Sequence, residues 1–186
     1  MTTSALDRDV EELVHAVVML SADVKAAADL SKVLGDTQFA RRTYVRAVFA
    51  LVEGNMNLMA NVCLQSANRG EIQMSAMEGE VVRQERTIER QGVPATIPKF
   101  MPAKDRLGPL MNIFARLYGR SHSLNKCNAG WQSFATAIEL RNRITHPRNA
   151  SAFEVTSVEL DTLQEARSWF ADAIEDLLKT CVATQH

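Results

Sequence analysis

Residues 45–63 read VRAVFALVEGNMNLMANVC and contain the longest regular apolar pattern of the chain. Apolar residues recur there every three or four positions, which is the spacing that places them on one face of an α-helix. The segment NRG at 68–70 then provides a helix-stop signal. The spacing predicts a buried helix that starts near Asp36 or Thr37 and runs to about Ala67. Its apolar face consists of Val45, Val48, Phe49, Val52, Met56, Met59, Val62 and Cys63.

The same helical spacing continues through most of the chain. A first stripe runs through residues 10–34 and is ended by Gly35. Thr156-Ser157-Val158-Glu159 fits a capping box that starts the last helix. No segment is convincing as a strand. The sequence therefore predicts an all-α fold, an up-and-down helical bundle of about five to six helices.

Two segments in the middle of the chain fit this pattern less well. Residues 71–91 favour helix but are polar, which predicts an exposed helix or a mobile arm. Residues 92–105 contain three prolines, which predicts an extended loop. A loop of that length is long for a compact domain and indicates a lid or a contact with a partner.

Length and composition indicate one domain, residues 1–186, in the cytosol. The 186 residues are 46% hydrophobic and 23% charged, as in a globular protein. No apolar run approaches the roughly 18 residues expected of a membrane span, and the N-terminus lacks the features of a signal peptide. Cys63, Cys127 and Cys181 are widely spaced with no CxxC motif, so we expect free thiols and neither a metal site nor a cofactor.

Basic residues are concentrated in one part of the chain. Residues 83–148 contain 12 Lys/Arg and 4 Asp/Glu, a net charge of +8, although the whole chain has a net charge of −1. Such asymmetry is typical of a surface that faces a polyanion. Alternatively, the basic and acidic parts pair with each other in the fold.

The predicted helix Trp131–His146 carries the residues with the most chemistry. Trp131, Phe134, Ala135 and Ile138 form an apolar stripe, and the next positions on that stripe are Arg141, Asn142 and Thr145. Arg143 falls on the opposite face. Polar residues at the end of a helix face that otherwise points into the core indicate a cleft or an interface. The alternative is a polar helix end in solvent, with Arg141 bonded to a core carboxylate.

These residue types suit metal-free cleavage of RNA. His146 can act as a base or an acid near neutral pH, and the planar guanidinium of Arg141 suits phosphate oxygens. One histidine cannot easily serve as base and acid in the same step. Two copies of the chain around a two-fold axis would supply two of each residue, so the chemistry favours a homodimer.

Residues 140–147 (LRNRITHP) resemble the Arg-Asn-x3-His motif of the HEPN (higher eukaryotes and prokaryotes nucleotide-binding) superfamily. The segments 105–107 (DRL) and 130–134 (GWQSF), and the helical layout, are similar to its single-domain bacterial members. The resemblance covers about Phe39 to Ala173. In the toxin branch that is regulated by nucleotidyl transfer, a tyrosine stands two residues after the histidine. Arg148 stands at that position in this chain, which argues against regulation by nucleotidyl transfer here.

The resemblance implies a metal-independent endoribonuclease whose active site is composed from two subunits. Arg141 would bind phosphate, His146 would transfer protons, and Asn142 would position one of them. A helix that packs beside the motif would contribute supporting residues, among them Glu53, which would hold Arg141. Alternatively, the polar residues of that helix form an Arg–Glu network inside the bundle. The expected supporting residues are Glu53, Arg46 and Asn57, and the expected RNA-binding residues are Arg148, Lys126 and Arg120.

Two other functions remain compatible with the sequence. Some members of the HEPN superfamily have lost catalysis, so the chain could be a module that binds RNA, nucleotide or a protein partner through the same cleft. It could also be a purely structural helical dimer. The resemblance further implies a defence or toxin–antitoxin setting with an antitoxin or other protein partner, and no membrane partner.

Overall fold

A computed structural model describes residues 4–90 and 93–182, and 73% of the chain is helical. This confirms the prediction of an all-α helical bundle of five to six helices. A short 3-10 helix, Ala150–Phe153, lies between the last two α-helices. The α-helices are α1 (Ala5–Leu34), α2 (Gln38–Asn68), α3 (Ala76–Arg83), α4 (Ala103–Arg116), α5 (Ala129–Thr145) and α6 (Ser157–Val182).

The helix boundaries follow the signals in the sequence. Gly35 has a φ of 70°, a left-handed conformation that glycine adopts without steric cost, and α1 ends one residue before it. The predicted capping box at the start of α6 is present. The Thr156 hydroxyl accepts from the Glu159 backbone N–H (3.2 Å), and the Glu159 carboxylate accepts from the Thr156 backbone N–H (2.8 Å).

The described residues fall into two compact units. The motif unit comprises residues 14–55 and 125–176, and it contains the whole of α5. The hairpin unit comprises residues 4–13, 56–90, 93–124 and 177–182, and it contains α3 and α4. The apolar face predicted for α2 is buried along its whole length, from Val45 to Cys63.

Aromatic side chains join α5 to α6 in the core of the motif unit. The Phe134 ring lies 5.0 Å from the Trp169 ring and 6.0 Å from the Phe170 ring, centroid to centroid. Gly130 allows this close packing, because a Cβ atom there would lie 2.5 Å from the Trp169 side chain. The first half of α5 is therefore fixed against α6. This packing sets the position of the C-terminal end of α5, which carries the motif.

The middle of the chain differs from the prediction, since it contains a β-hairpin. Residues 76–83 form α3, and an antiparallel pair follows, β1 (Glu85–Arg90) and β2 (Val93–Pro98). The expectation of no strand, and of a loop over the whole of 92–105, is therefore wrong. The junction of the predicted arm and loop, residues 91 and 92, lies outside the described residues.

The local sequence accounts for the hairpin. Gln84 ends α3 in a left-handed conformation (φ 52°), which turns the chain out of the helix. Pro94 and Pro98 are four residues apart in β2, so their backbone nitrogens, which carry no hydrogen, point to the same side of the strand. That side is the open edge of the two-stranded ribbon, where no hydrogen bond to β1 is lost. The glutamates and arginines of β1 favour helix by propensity, and the pairing with β2 overrides that preference.

Helix α2 has the predicted length but is more apolar than expected from the sequence. Among the described residues it alone reaches the length and composition of a membrane span, with a mean hydropathy of 1.3, which corrects the expectation that no apolar run does so. Half of that window is buried inside the protein. Such burial is typical of the core helix of a soluble protein.

Candidate active site

The predicted site lies on the last turns of α5. The Asn128 side chain caps the first turn by accepting from the Trp131 backbone N–H (2.9 Å). At the other end, the His146 backbone N–H still donates to the Asn142 carbonyl (2.9 Å), but His146 itself has left helical geometry (φ −123°, ψ 64°). Pro147 follows and disfavours helix at the preceding residue. The chain therefore leaves the helix at the motif histidine.

The buried face of α5 does not turn polar as the sequence analysis expected. Leu140 and Ile144 continue it to the end of the helix, whereas Thr145 and His146 are exposed. The centre of the buried face lies towards Ala137 rather than along the line through Trp131 and Ile138. The motif side chains therefore flank a core contact, and they do not form an inward-facing polar patch.

Arg141 is held by side chains of its own chain. Its guanidinium forms an ion pair with the carboxylate of Glu53 on α2, and it donates to the Asn142 side-chain oxygen (3.2 Å). The Arg141 side chain is 26% exposed and that of Glu53 is 42% exposed, so solvent reaches both charges. The expected contact between Glu53 and Arg141 is therefore present, in a pair that water screens.

Arg143 points to the opposite side of α5 and is bound more extensively. It donates to the carbonyls of Ala152 (3.1 Å) and Glu154 (2.8 Å), and it pairs with the Glu159 carboxylate at 2.5 Å. Burial alone would raise the pKa of Glu159. Bonds from the Thr156 backbone and hydroxyl, together with the Arg143 charge, lower that pKa below its usual range. Arg143 thus links the end of α5 to the start of α6, a contact that the sequence analysis missed.

The segment between α5 and α6 is also tied to the start of α2. The Gln38 side chain bonds both the N–H (2.8 Å) and the carbonyl (3.0 Å) of Val155, and Arg41 donates to the same carbonyl (2.6 Å). Arg42 donates to the Phe153 carbonyl (3.1 Å) and stacks over its ring at 5.8 Å. These contacts fix the chain directly after the motif, so the end of α5 has a defined setting.

The other expected supporting residues form no hydrogen bond or ion pair with Arg141 among the described residues. Arg46 is exposed, and no described residue accepts a hydrogen bond from it or pairs with it. Asn57 accepts from Arg106 of α4 at 2.9 Å, within the hairpin unit. Of the row predicted on α2, Glu53 is the residue that forms an ion pair with a motif side chain in the described part of the chain.

The three residues expected to bind RNA occupy different settings. Arg148 is exposed in the segment after the motif. Lys126 is exposed as well, and its amine lies 4.9 Å from the centre of the Trp131 ring, a cation–π contact. Arg120 is partly buried and belongs to the hairpin unit, whereas Arg148 and Lys126 belong to the motif unit. The structure therefore brings two of the three into the unit that contains the motif.

The described residues contain no group of three or more His, Cys, Asp or Glu side chains that could hold a metal ion. The three cysteines are free thiols, as expected, and burial raises the pKa of Cys63 to about 12. A neutral, buried thiol of this kind is unreactive.

Comparison with known proteins does not add to this geometry. No family model matches the chain, and neither a curated protein nor a solved structure matches it at a significant level. The assignment of function therefore rests on the residues themselves.

Proposed function

We propose that the chain is a metal-independent endoribonuclease of the HEPN type. One observation carries the proposal, the arrangement at the end of α5. Arg141 is held by Glu53 and Asn142, and the exposed His146 follows five positions later, where the chain leaves the helix. A guanidinium held in place and an accessible imidazole at the same end of one helix are the groups needed to bind a phosphodiester and to move protons around it.

The proposed reaction uses the 2′-hydroxyl of RNA as the nucleophile. His146 accepts the hydroxyl proton while the 2′-oxygen attacks the adjacent phosphorus, and the bond from phosphorus to the 5′-oxygen breaks. The leaving oxygen takes a proton from a second acid. The products are a 2′,3′-cyclic phosphate and a free 5′-hydroxyl. Arg141 binds the non-bridging oxygens, and its charge stabilises the crowded phosphate. Asn142 holds Arg141 in position.

A homodimer supplies the second proton-transfer group. Each chain contributes one His146, so a composite site across a two-fold axis contains one base and one acid. The motif unit exposes apolar side chains that a partner copy would cover. Among them are Val18, Phe39 and Val158, which are 61%, 57% and 73% exposed.

The rest of the proposal concerns setting and substrate contacts. Arg148 and Lys126 are exposed cations of the motif unit and would contact the RNA backbone. We further propose that the protein acts in the cytosol and, on the family resemblance, in a defence or toxin–antitoxin system. There a second protein would restrain the nuclease by covering the motif.

A second candidate function is a non-catalytic module that binds RNA, nucleotide or protein at the same place. One observation favours it: Arg141 is already engaged by Glu53 and Asn142 in the free chain. An RNA phosphate must therefore share or displace the Glu53 carboxylate before Arg141 can act on it.

Incubation of the pure protein with mixed RNA and with single-stranded DNA in EDTA separates the two functions. The nuclease cuts RNA and leaves DNA intact, because DNA lacks the 2′-hydroxyl. A binding module retains RNA and cuts neither. Intact RNA under conditions in which the protein is folded and binds it would therefore contradict the proposed nuclease and support the module.

A further inference from the structure

The β-hairpin separates its charges between two faces. Side chains alternate across a strand, so the sequence ERTIER of β1 (Glu85–Arg90) places its arginines on one face and its glutamates on the other. The pairing Arg86↔Ile97, Ile88↔Ala95 and Arg90↔Val93 adds apolar residues of β2 to the arginine face. This basic face consists of Arg86, Ile88, Arg90, Val93, Ala95 and Ile97, and the acidic face consists of Glu85, Thr87, Glu89, Pro94, Thr96 and Pro98.

Both faces are largely open to solvent. Only Ile88 and Ala95 are partly buried, whereas Val93 and Ile97 are 64% and 39% exposed. A two-stranded ribbon has little stability of its own, and its base is fixed where the Lys99 backbone N–H donates to the Gln84 carbonyl at 2.7 Å. The hairpin is therefore anchored at one end and presents uncovered apolar and charged surface.

Charge on the basic face is only weakly neutralised at Arg86. Its side chain is 58% exposed, and the nearest carboxylate, that of Glu80, lies 3.8 Å away. Glu80 bonds more closely to Lys99, at 2.5 Å. Arg86 thus remains available to an anion from solution.

We infer that the basic face of the hairpin binds single-stranded nucleic acid. Arg86 and Arg90 are four residues apart in a strand, about 13 Å, with the apolar row between them. Phe100 lies two residues beyond β2, next to the base of the hairpin rather than on its basic face, and is 81% exposed, the most exposed aromatic side chain of the described residues. Cations that follow a backbone, combined with apolar and aromatic surface for bases, are the chemistry of single-strand binding. The choice of nucleic acid over an acidic protein rests on the proposed function.

Binding to a labelled single-stranded DNA tests this inference without relying on cleavage. The affinity is measured against salt concentration for the full chain and for the variant Arg86→Gln/Arg90→Gln. Loss of two phosphate contacts should reduce the magnitude of the salt slope by about 1.4 and weaken binding by about tenfold at low salt. Phe100→Ala should weaken binding at least about fivefold with an unchanged salt slope, since it removes stacking and no charge.

The matched control is Glu85→Gln/Glu89→Gln, on the acidic face of the same hairpin. It changes the net charge by two in the other direction, and it should leave the salt slope unchanged if binding uses the basic face. Circular dichroism and thermal melting establish that all variants are folded.

An unchanged affinity in Arg86→Gln/Arg90→Gln would overturn the inference, as would an equal and opposite effect of the acidic-face variant, which indicates net charge alone. Competition by polyglutamate as strong as that by DNA, with no effect of Phe100→Ala, would also overturn it and would indicate an acidic protein as the partner. Hairpin-dependent DNA binding by a chain that cuts no RNA would leave this inference standing and refute the nuclease.

Discussion

The two faces of the last turns of α5 carry the same kind of side chain in different settings. On one face, Arg141 has a screened ion pair with Glu53 and one bond to its neighbour Asn142. On the other, Arg143 bonds two carbonyls and the Glu159 carboxylate. The first arginine is bound by partners that a ligand can replace, and the second is bound into the fold.

This difference shows how a short motif can combine function with stability. The Arg143 contacts fix the end of α5 against the segment that precedes α6, so that Arg141 and His146 project from a defined position. A phosphate can exchange with an exposed carboxylate at small cost, because screened ion pairs contribute roughly 0–1 kcal/mol. It cannot easily replace two backbone carbonyls. We therefore expect activity to depend on the Arg141 face and stability on the Arg143 face.

The largest effect is expected from His146→Ala. Removal of the proton-transfer group should lower the rate of RNA cleavage by about 10²–10⁴-fold, the usual contribution of a general acid or base. The rate is measured by gel electrophoresis in EDTA. His15→Ala is the matched control, since His15 is an exposed histidine of the same unit and should have no effect. Equal loss in both variants would contradict a specific role for His146.

Arg141→Ala should lower the same rate by about 10²–10³-fold, because it removes charge that stabilises the phosphate in the transition state. The melting temperature should change little, since the ion pair with Glu53 is partly exposed. Both inactive variants should remain folded dimers by light scattering. A melting temperature that falls in proportion to the activity would mean that Arg141 is structural.

Arg143→Ala should have the opposite profile. Loss of its bonds should cost about 2 kcal/mol after allowance for solvent screening and lower the melting temperature by about 4–8 °C. Activity per folded molecule should stay within about threefold, the small change expected when no transition-state contact is removed. Measurement of both quantities at a temperature where each variant is folded separates the two effects.

The pH dependence of this loss provides a control. The pKa of Glu159 is lowered in the folded state, so the contribution of the pair to stability is present above the ordinary carboxyl range. It disappears as the pH falls through the lowered folded value. The difference in melting temperature between wild type and Arg143→Ala should therefore shrink in acid. A difference that is the same at neutral and acidic pH would exclude the ion pair as its cause.

The smallest effect is expected from Glu53→Gln. Without the competing carboxylate, Arg141 is freer to bind phosphate, so the affinity for an uncleavable RNA should rise by up to about fivefold, equivalent to the ~1 kcal/mol of an exposed pair. The matched control is Glu139→Gln, at an exposed position of α5. Weaker binding in Glu53→Gln would mean that Glu53 helps ligand binding more by positioning Arg141 than it hinders binding by competing with the phosphate.

The sequence predicted the helices well, because their signals are local and strong. The apolar face from Val45 to Cys63, the stop at Gly35 and the capping box of Thr156 each depend on residues a few positions apart. The hairpin lacked such a signal. Both of its faces contain polar residues, and Glu85–Arg90 is compatible with helix until its pairing partner is known. Strand pairing is a non-local property that a polar alternation does not reveal.

The candidate site was likewise predictable only where its contacts follow from helical spacing or from the resemblance. The contact between Arg141 and Glu53 followed from helical faces and the family resemblance. The role of Arg143 did not, since its partners are carbonyls and a carboxylate 9 to 16 positions later in the chain. Ala137, Leu140 and Ile144 shift the buried face of α5 away from the expected line. Ala137 lies at the centre of the buried face. An alanine is compatible with either a buried or an exposed position, so its burial is recognised only once the facing helix is known.

The central claim is that the chain cleaves RNA through the 2′-hydroxyl. The most direct measurement uses one RNA oligonucleotide and a matched version with a single 2′-deoxy substitution at the nucleotide preceding the cleaved bond, both incubated with the protein in EDTA. We predict that the first is cut to a 2′,3′-cyclic phosphate, as identified by mass spectrometry, and that the second resists cleavage at that bond. Cleavage of both at the same bond, or cleavage that EDTA abolishes, would contradict the account.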